Sequence, residues 1–85
     1  NALYAMVARR HMHLYGTTND HLGAIAVAER EWALRNPAAQ FHDTPMTIED
    51  YRASRWVVEP FHLFDCCLVS NGGLAGIGTS AERAR

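Results

Sequence analysis

Gly72-Gly73-Leu74-Ala75-Gly76-Ile77-Gly78-Thr79 is a run of small and apolar residues that reads as a strand packed closely against other backbone. Nothing else in the sequence reads as its partner, since Arg55-Trp56-Val57-Val58 is only extended or irregular. A buried strand cannot leave its N–H and C=O groups unpaired. The partners of this strand are therefore expected outside the 85 residues. The first residue points the same way: Asn1 opens directly into an apolar, helix-like run, as in a piece cut from a longer chain.

The remaining elements are helical. Leu3, Met6, Val7 and Leu14 recur at three- and four-residue spacings and predict a helix over 2–15, with Gly16 as its stop and Arg9, Arg10 and His13 on its polar face. Thr17-Thr18-Asn19-Asp20 supplies a hydroxyl cap and a first-turn acid for a second helix. Its apolar stripe is Leu22, Ile25, Ala26, Ala28, Trp32 and Ala33, opposite Glu29, Arg30 and Glu31, and Asn36-Pro37 ends it. A loop follows from Pro37 to Pro45. Thr47-Ile48-Glu49-Asp50 then has the form of a capping box and starts a short helix reaching about Ser54. Pro60 breaks any helix, Phe61 to Phe64 form an apolar approach to Cys66-Cys67, and Ser80-Ala81-Glu82-Arg83 opens one more helix.

Composition excludes several classes of function. Hydrophobic residues make up 48% of the chain and charged residues 20%, the balance of a folding chain rather than a disordered one. Eight basic and nine acidic residues give a net charge of −1, so there is no broad cationic field for nucleic acid. The helical pair of 2–15 and 19–34 resembles a helix-turn-helix only in outline, because Glu29 and Glu31 on the second helix oppose phosphate. No apolar run approaches the roughly 20 residues of a membrane-spanning helix. Two adjacent cysteines are unlike a secreted disulfide framework, so a reducing, cytoplasmic setting is expected.

Five histidines and two cysteines raise metal binding and nucleophilic catalysis. His11 and His13 are two apart on a helix and point away from each other, and Cys66 and Cys67 lack the spacer that lets two thiolates reach one ion. For Cys66 or Cys67 as nucleophile, His62 or His42 is the candidate base. Flanking Phe64, Leu68 and Val69 instead describe small buried hydrophobes or pocket lining, with nothing to lower the thiol pKa. The glycines at 72, 73, 76 and 78 lack the Lys-Ser/Thr that completes a phosphate loop. Trp32 and Trp56 read as core or interface anchors, and Arg9, Arg10, Arg52 and Arg55 as solvated.

Several stretches in a consistent order are similar to the thiolase superfamily, in particular to bacterial thiolase-like proteins of the sterol carrier protein X type. They are Ala2-Leu3-Tyr4-Ala5-Met6-Val7-Ala8-Arg9-Arg10-His11-Met12-His13 with Tyr15-Gly16-Thr17-Thr18, Pro45-Met46-Thr47-Ile48-Glu49-Asp50-Tyr51, Asp65-Cys66-Cys67-Leu68-Val69-Ser70, and Thr79-Ser80-Ala81-Glu82-Arg83-Ala84. The resemblance implies an α/β chain that is part of a five-layer αβαβα fold, mainly loop-domain helices plus one strand. Residues 1–60 would belong to the loop domain and the N-terminal half, and 61–85 to the linker, first strand and helix start of the C-terminal half. Asn71 and the Gly76-Ile77-Gly78 stretch depart from the family pattern of Asp before paired glycines and an alanine- and valine-rich strand.

The family's nucleophilic cysteine, Gly-His-Pro and terminal Cys-Gly-Gly motifs are not in these residues, so no catalytic residue is expected here. The resemblance assigns Cys67, Cys66 and Tyr4 to substrate and CoA binding, with Cys67 where the family has a serine beside the pantetheine arm and Asp65 close by. It implies coenzyme A as substrate with no further cofactor, an acyl-CoA partner, a homo-oligomer, and in some relatives a zinc-ribbon and oligonucleotide-fold partner protein. The activity implied is acyl-CoA C-acyl transfer of the acetyl-CoA acetyltransferase or 3-ketoacyl-CoA thiolase type. The alternatives are a retro-aldol lyase of steroid side-chain CoA esters, a non-catalytic lipid- or acyl-CoA-binding subunit, and a free-standing helical module.

Overall fold

In the computed structural model, which describes residues 1–73 and 75–84, three helices lead into a small hairpin. Helix α1 spans Ala2–Tyr15 and ends where Gly16 turns left-handed at φ 69°, its N–H returning to the Met12 carbonyl at 2.9 Å. Helix α2 spans Asn19–Leu34. The Thr18 N–H before it donates to His21 Nδ1 at 2.9 Å, so a histidine fills the place where a capping box ordinarily has Glu or Gln. Helix α3, Ile48–Ala53, has the box the sequence predicts: Asp50 N–H donates to Thr47 Oγ1 at 3.2 Å and Thr47 N–H to Asp50 Oδ2 at 2.8 Å. The Thr47 N–H, together with the Thr47 hydroxyl that donates to the same Oδ2 at 2.8 Å, holds the Asp50 carboxyl below the usual carboxylate range.

Strands β1 (Trp56–Val58) and β2 (Phe61–His62) pair antiparallel around Glu59-Pro60, a cis peptide, with an irregularity between Trp56 and Val58. One 3-10 turn, η1, covers Leu63–Asp65 and packs on α2. Residues 66–73 and 75–80 carry no regular structure, and Ser80 begins a single helical turn through its carbonyl, which accepts from the Arg83 and Ala84 N–H groups. The chain is thus mainly helical with strand content, but the strand has moved: it is the 56–62 hairpin, not the stretch 72–79. The reason is pairing. Val58 and Phe61 lie close enough in sequence to find each other, whereas the described part of 72–79 has no edge to join. Leu74 lies outside the described residues.

The centre is the crossing of α2 and α3. Tyr51 of α3 is fully buried with its ring on Gly23 of α2; a Cβ built there would lie 2.6 Å from both Tyr51 Cδ1 and Ile48 Cδ1. Arg52 Nε and Nη2 hold the Asp20 carboxylate at 2.9 and 2.7 Å, and Asn19 Nδ2 donates to the Pro60 carbonyl at 2.6 Å, tying the hairpin to the start of α2. The face of α2 that is buried is Gly23, Ala26 and Arg30, not the bulky stripe, since Ile25 and Trp32 are 61% and 69% exposed. A helix crossing this close needs small residues at the contact. The bulky ones are left facing out.

Gly23→Ala should separate two opposing effects. Alanine is favoured over glycine in a helix by about 1 kcal/mol, while forcing a methyl into the stiff Tyr51 ring costs about 1–3 kcal/mol. Overpacking wins, so the variant should lower the thermal unfolding midpoint of the full-length protein. A raised midpoint would show that the crossing is looser than described.

Candidate functional site

Cys66 and Cys67 sit in a groove of about 500 Å³ between α2 and the chain that leaves η1. Ala26, Glu29, Arg30 and Ala33 form its helical wall, Phe41 and Met46 come from the 37–47 loop, and Leu63, Phe64, Leu68 and Ser70 complete it. Cys66 is half-buried, with its Sγ 3.8 Å from Asn1 Nδ2, and Cys67 is exposed. The lining is largely apolar with a buried cation at its wall. Arg30 Nη1 donates to the Thr44 carbonyl at 2.8 Å and the guanidinium lies 4.2 Å over the Phe41 ring and 5.7 Å from that of Phe64. Arg30 therefore holds the loop against the helix instead of lying on the solvated face where its spacing puts it.

The position of Cys66 is set from the core. Asp65 Oδ2 accepts from the Tyr51 hydroxyl at 2.8 Å and from the His62 N–H at 2.7 Å, and Oδ1 lies 3.1 Å from the same hydroxyl. The Asp65 carboxylate thus faces the core, although the sequence pattern placed it beside Cys67. His62 is buried, with Nδ1 2.8 Å from the Ser54 carbonyl, an arrangement that puts the proton on Nδ1. Its ring stacks on Trp56 at 3.7 Å and lies 4.9 Å from Tyr51. Burial, followed by the neighbouring Asp65 carboxylate, pushes the Tyr51 phenol up to about 12.

Neither histidine weighed as a base reaches the groove: His62 is engaged in the core, and His42 is exposed with Nδ1 3.2 Å from the Ala39 carbonyl. Among the described residues no histidine and no cationic side chain is hydrogen-bonded to either sulfur, the kind of neighbour that activates a thiol. Tyr4, the third residue assigned to ligand binding, is elsewhere. It is 75% exposed on α1 and borders a separate cleft of about 360 Å³ with Val7, Met12, Leu22 and Phe61. The chain brings Cys66 and Cys67 together and leaves Tyr4 apart from them. Among the described residues no three His, Cys, Asp or Glu side chains converge to hold a metal ion, and no helix is long and apolar enough to cross a membrane.

No protein-family model matches the chain. It is 53% identical over 81 residues to the steroid side-chain-cleaving aldolase of Thermomonospora curvata, covering 95% of this chain and 21% of that protein. It is 51% identical over 84 residues to the 17-hydroxy-3-oxo-4-pregnene-20-carboxyl-CoA lyase of Mycobacterium tuberculosis, covering 99% and 22%. An acetyl-CoA acetyltransferase of Methanothermobacter thermautotrophicus matches at 44% identity over 84 residues, again 99% of this chain and 22% of the relative. Among solved structures the Ltp2-ChsH2(DUF35) aldolase superposes with a TM-score of 0.74 at 52% identity, over 76% of this chain and 17% of that one. The chain is a thiolase-like segment. It spans about a fifth of the length of the curated relatives it matches.

Much apolar surface is open: Leu3, Tyr4, Met6 and Val7 of α1 are 67–79% exposed. Sequence reasoning found the capping box that delivers Tyr51 and the double cysteine. It missed the Tyr51–Asp65 bond and the burial of Arg30. The signal for the first was present, since a tyrosine one residue after the capping Asp50 lies where a short helix must bury something.

Two measurements follow from the geometry. Iodoacetamide should label Cys67 faster than Cys66 in the native full-length protein, read by peptide mass spectrometry; the reverse order would place Cys66 outward. The Tyr51 phenol gives a pH test. The folded chain keeps this proton up to about 12, while an unfolded tyrosine releases it near 10. The stabilisation linked to it is complete below pH 10 and is lost as the pH rises towards 12. The gap in thermal midpoint between the parent and Tyr51→Phe should shrink over that window. A constant gap would mean that Tyr51 ionises like a free tyrosine.

Proposed function

We propose that the full-length protein is a retro-aldol lyase acting on CoA esters of steroid side chains, and that the groove at Cys66 and Cys67 receives part of the acyl-CoA. What supports this above all is the balance of similarity. The two relatives named for aldol-type cleavage stand at 53% and 51% identity, against 44% for the acetyltransferase, and the structural neighbour is an aldolase too. The groove agrees with it, being apolar enough for an acyl or pantetheine chain and carrying thiols with no histidine in the lining.

In such a reaction the substrate carries a hydroxyl on the carbon β to the thioester carbonyl. Loss of the hydroxyl proton forms the new carbonyl, the Cα–Cβ bond breaks, and its electron pair moves onto the thioester as an enolate, which is then protonated at Cα. Hydrogen-bond donors at the thioester oxygen lower the cost of the enolate. Residues 1–85 contribute walls and positioning, and the groups that move protons lie elsewhere in the protein. Acyl-CoA C-acyl transfer is the second reading, favoured by the acetyltransferase match. A homo-oligomer, a zinc-ribbon and oligonucleotide-fold partner protein, and a cytoplasmic location belong to the same proposal, as does the division of the chain near residue 60.

The deciding experiment is an assay of the full-length protein with a 3-hydroxyacyl-CoA bearing a steroid side chain and, in parallel, with a 3-oxoacyl-CoA plus free CoA. Release of a ketosteroid from the first, with no thiolysis of the second, is expected. Thiolysis alone would replace this reading with the acyltransferase. Within the working enzyme, Cys67→Ser should raise KM for the CoA ester more than it lowers kcat, and loss of kcat at unchanged KM would make Cys67 part of the chemistry.

A further inference from the structure

The groove's cysteine wall begins one residue after a part-buried bond to the core. Cys66 and Cys67 follow Asp65 directly, and the chain leaves η1 in extended form at Cys66, with φ −108° and ψ 135°, once its N–H has returned to the Leu63 carbonyl at 3.2 Å. Asp65 is the last residue of that turn. Its carboxylate is fixed by the Tyr51 hydroxyl at 2.8 Å and by the His62 N–H at 2.7 Å. The His62 N–H is local to the turn, so it shapes η1 without locating it. Leu63 is held by its N–H to the Arg55 carbonyl at 2.9 Å and Phe64 faces Arg30 of α2, while Asp65, the residue next to Cys66, is tied to the α2–α3 core by Tyr51, fourteen residues earlier and wedged on Gly23.

The geometry points to Tyr51 as a positioning residue for the CoA groove: through Asp65 it sets where the Cys66–Cys67 wall stands against α2. This rests on the reading of the groove as an acyl-CoA site. Tyr51 touches no ligand itself, being fully buried and absent from the groove lining. A carboxylate accepting both a phenolic O–H and a backbone N–H is a stiff, charge-assisted link. Loss of the phenol oxygen leaves the ring's packing in place and frees η1 to shift. A displacement of about 1 Å in a wall is enough to weaken ligand positioning strongly.

The test compares Tyr51→Phe, Asp65→Asn and Arg52→Gln in the full-length protein. Arg52→Gln serves as the control because it breaks the Asp20 clamp between the same two helices without touching η1. Two readouts are taken: KM and kcat for the steroid CoA ester, and the protection that free coenzyme A gives Cys67 against iodoacetamide, followed by peptide mass spectrometry. Tyr51→Phe should raise KM by about tenfold with kcat within about twofold of the parent, the pattern of lost binding shared by ground and transition states, and should remove most of the protection. Asp65→Asn keeps an oxygen for the Tyr51 hydroxyl and should fall between the parent and Tyr51→Phe. Arg52→Gln should leave both readouts unchanged even where it lowers the thermal midpoint.

Equal effects of Tyr51→Phe and Arg52→Gln on both readouts would overturn the proposal, because Tyr51 would then be an ordinary core residue. Full protection in Tyr51→Phe would overturn it as well, and so would a parent protein whose Cys67 coenzyme A does not shield. A parent with no lyase turnover whose coenzyme A protection is lost on Tyr51→Phe would uphold the positioning role while removing the lyase reading, which keeps the two failures apart.

Discussion

The seating of Tyr51 on Gly23 is the constraint from which the rest of the structure follows. Because α2 offers no Cβ at that point, the α3 ring reaches the helix axis closely enough to be fully buried, and Ile48 packs beside it. Full burial of one large side chain contributes about 1.5–3 kcal/mol, a large share of what so sparse a core can offer. The ring's polar end must then find a partner, since an unsatisfied hydroxyl in such a place costs about as much as burial gains. Asp65 is that partner, and in satisfying Tyr51 it fixes η1, the hairpin end and the departure of the chain towards Cys66. A packing decision at one glycine is thereby transmitted to the groove.

Outside that crossing the chain holds itself together mainly by polar means. The bidentate Arg52–Asp20 pair and the Arg9–Glu59 pair at 3.2 Å are exposed, and exposed pairs add little individually. The Asn19 bond to Pro60 and the Arg30 bond to Thr44 are partly buried and fix backbone that has no strand or helix to hold it. With Ala5, Ala26, Tyr51 and Pro60 as the buried apolar side chains among the described residues, the Cα radius of gyration is 15.5 Å, against about 12 Å for a compact chain of this length. The outer face of α1 and Trp32 on α2 are left exposed. That agrees with a segment matching about a fifth of its relatives.

How much of this could be read beforehand depended on the range of the interaction. Helix bounds were legible because caps are local: Gly16, Thr18 and the Thr47–Asp50 box act within four residues of where they stand. The buried face of α2 was not, because hydropathy favours Ile25 and Trp32 over Gly23 and Arg30, and only the Tyr51 ring, 28 positions after Gly23, decides otherwise. Arg30 illustrates the same limit, a guanidinium whose charge suggests solvent but whose planar face suits Phe41. The strand at 72–79 was legible as a pattern and did not form as an element, since its hydrogen-bond partners are not among these residues. The hairpin at 56–62 needs only itself.

The site shows the same division between residue type and residue role. Cysteine next to histidines suggests an activated thiol, yet activation requires a base within hydrogen-bond reach of the sulfur, and neither His42 nor His62 lines the groove that holds the cysteines. What the double cysteine retains is size, polarisability and position. Small, soft side chains in an apolar groove let a flexible thioester arm lie close without demanding a fixed hydrogen bond. Aldol cleavage and acyl transfer share the need to hold an acyl-CoA thioester while its α-carbon carries charge, so a groove of this kind serves either reaction unchanged. On the reading proposed above, the identity of the reaction depends on which proton-transferring groups the rest of the fold brings to the thioester, and residues 1–85 act on them through the place they give the CoA arm.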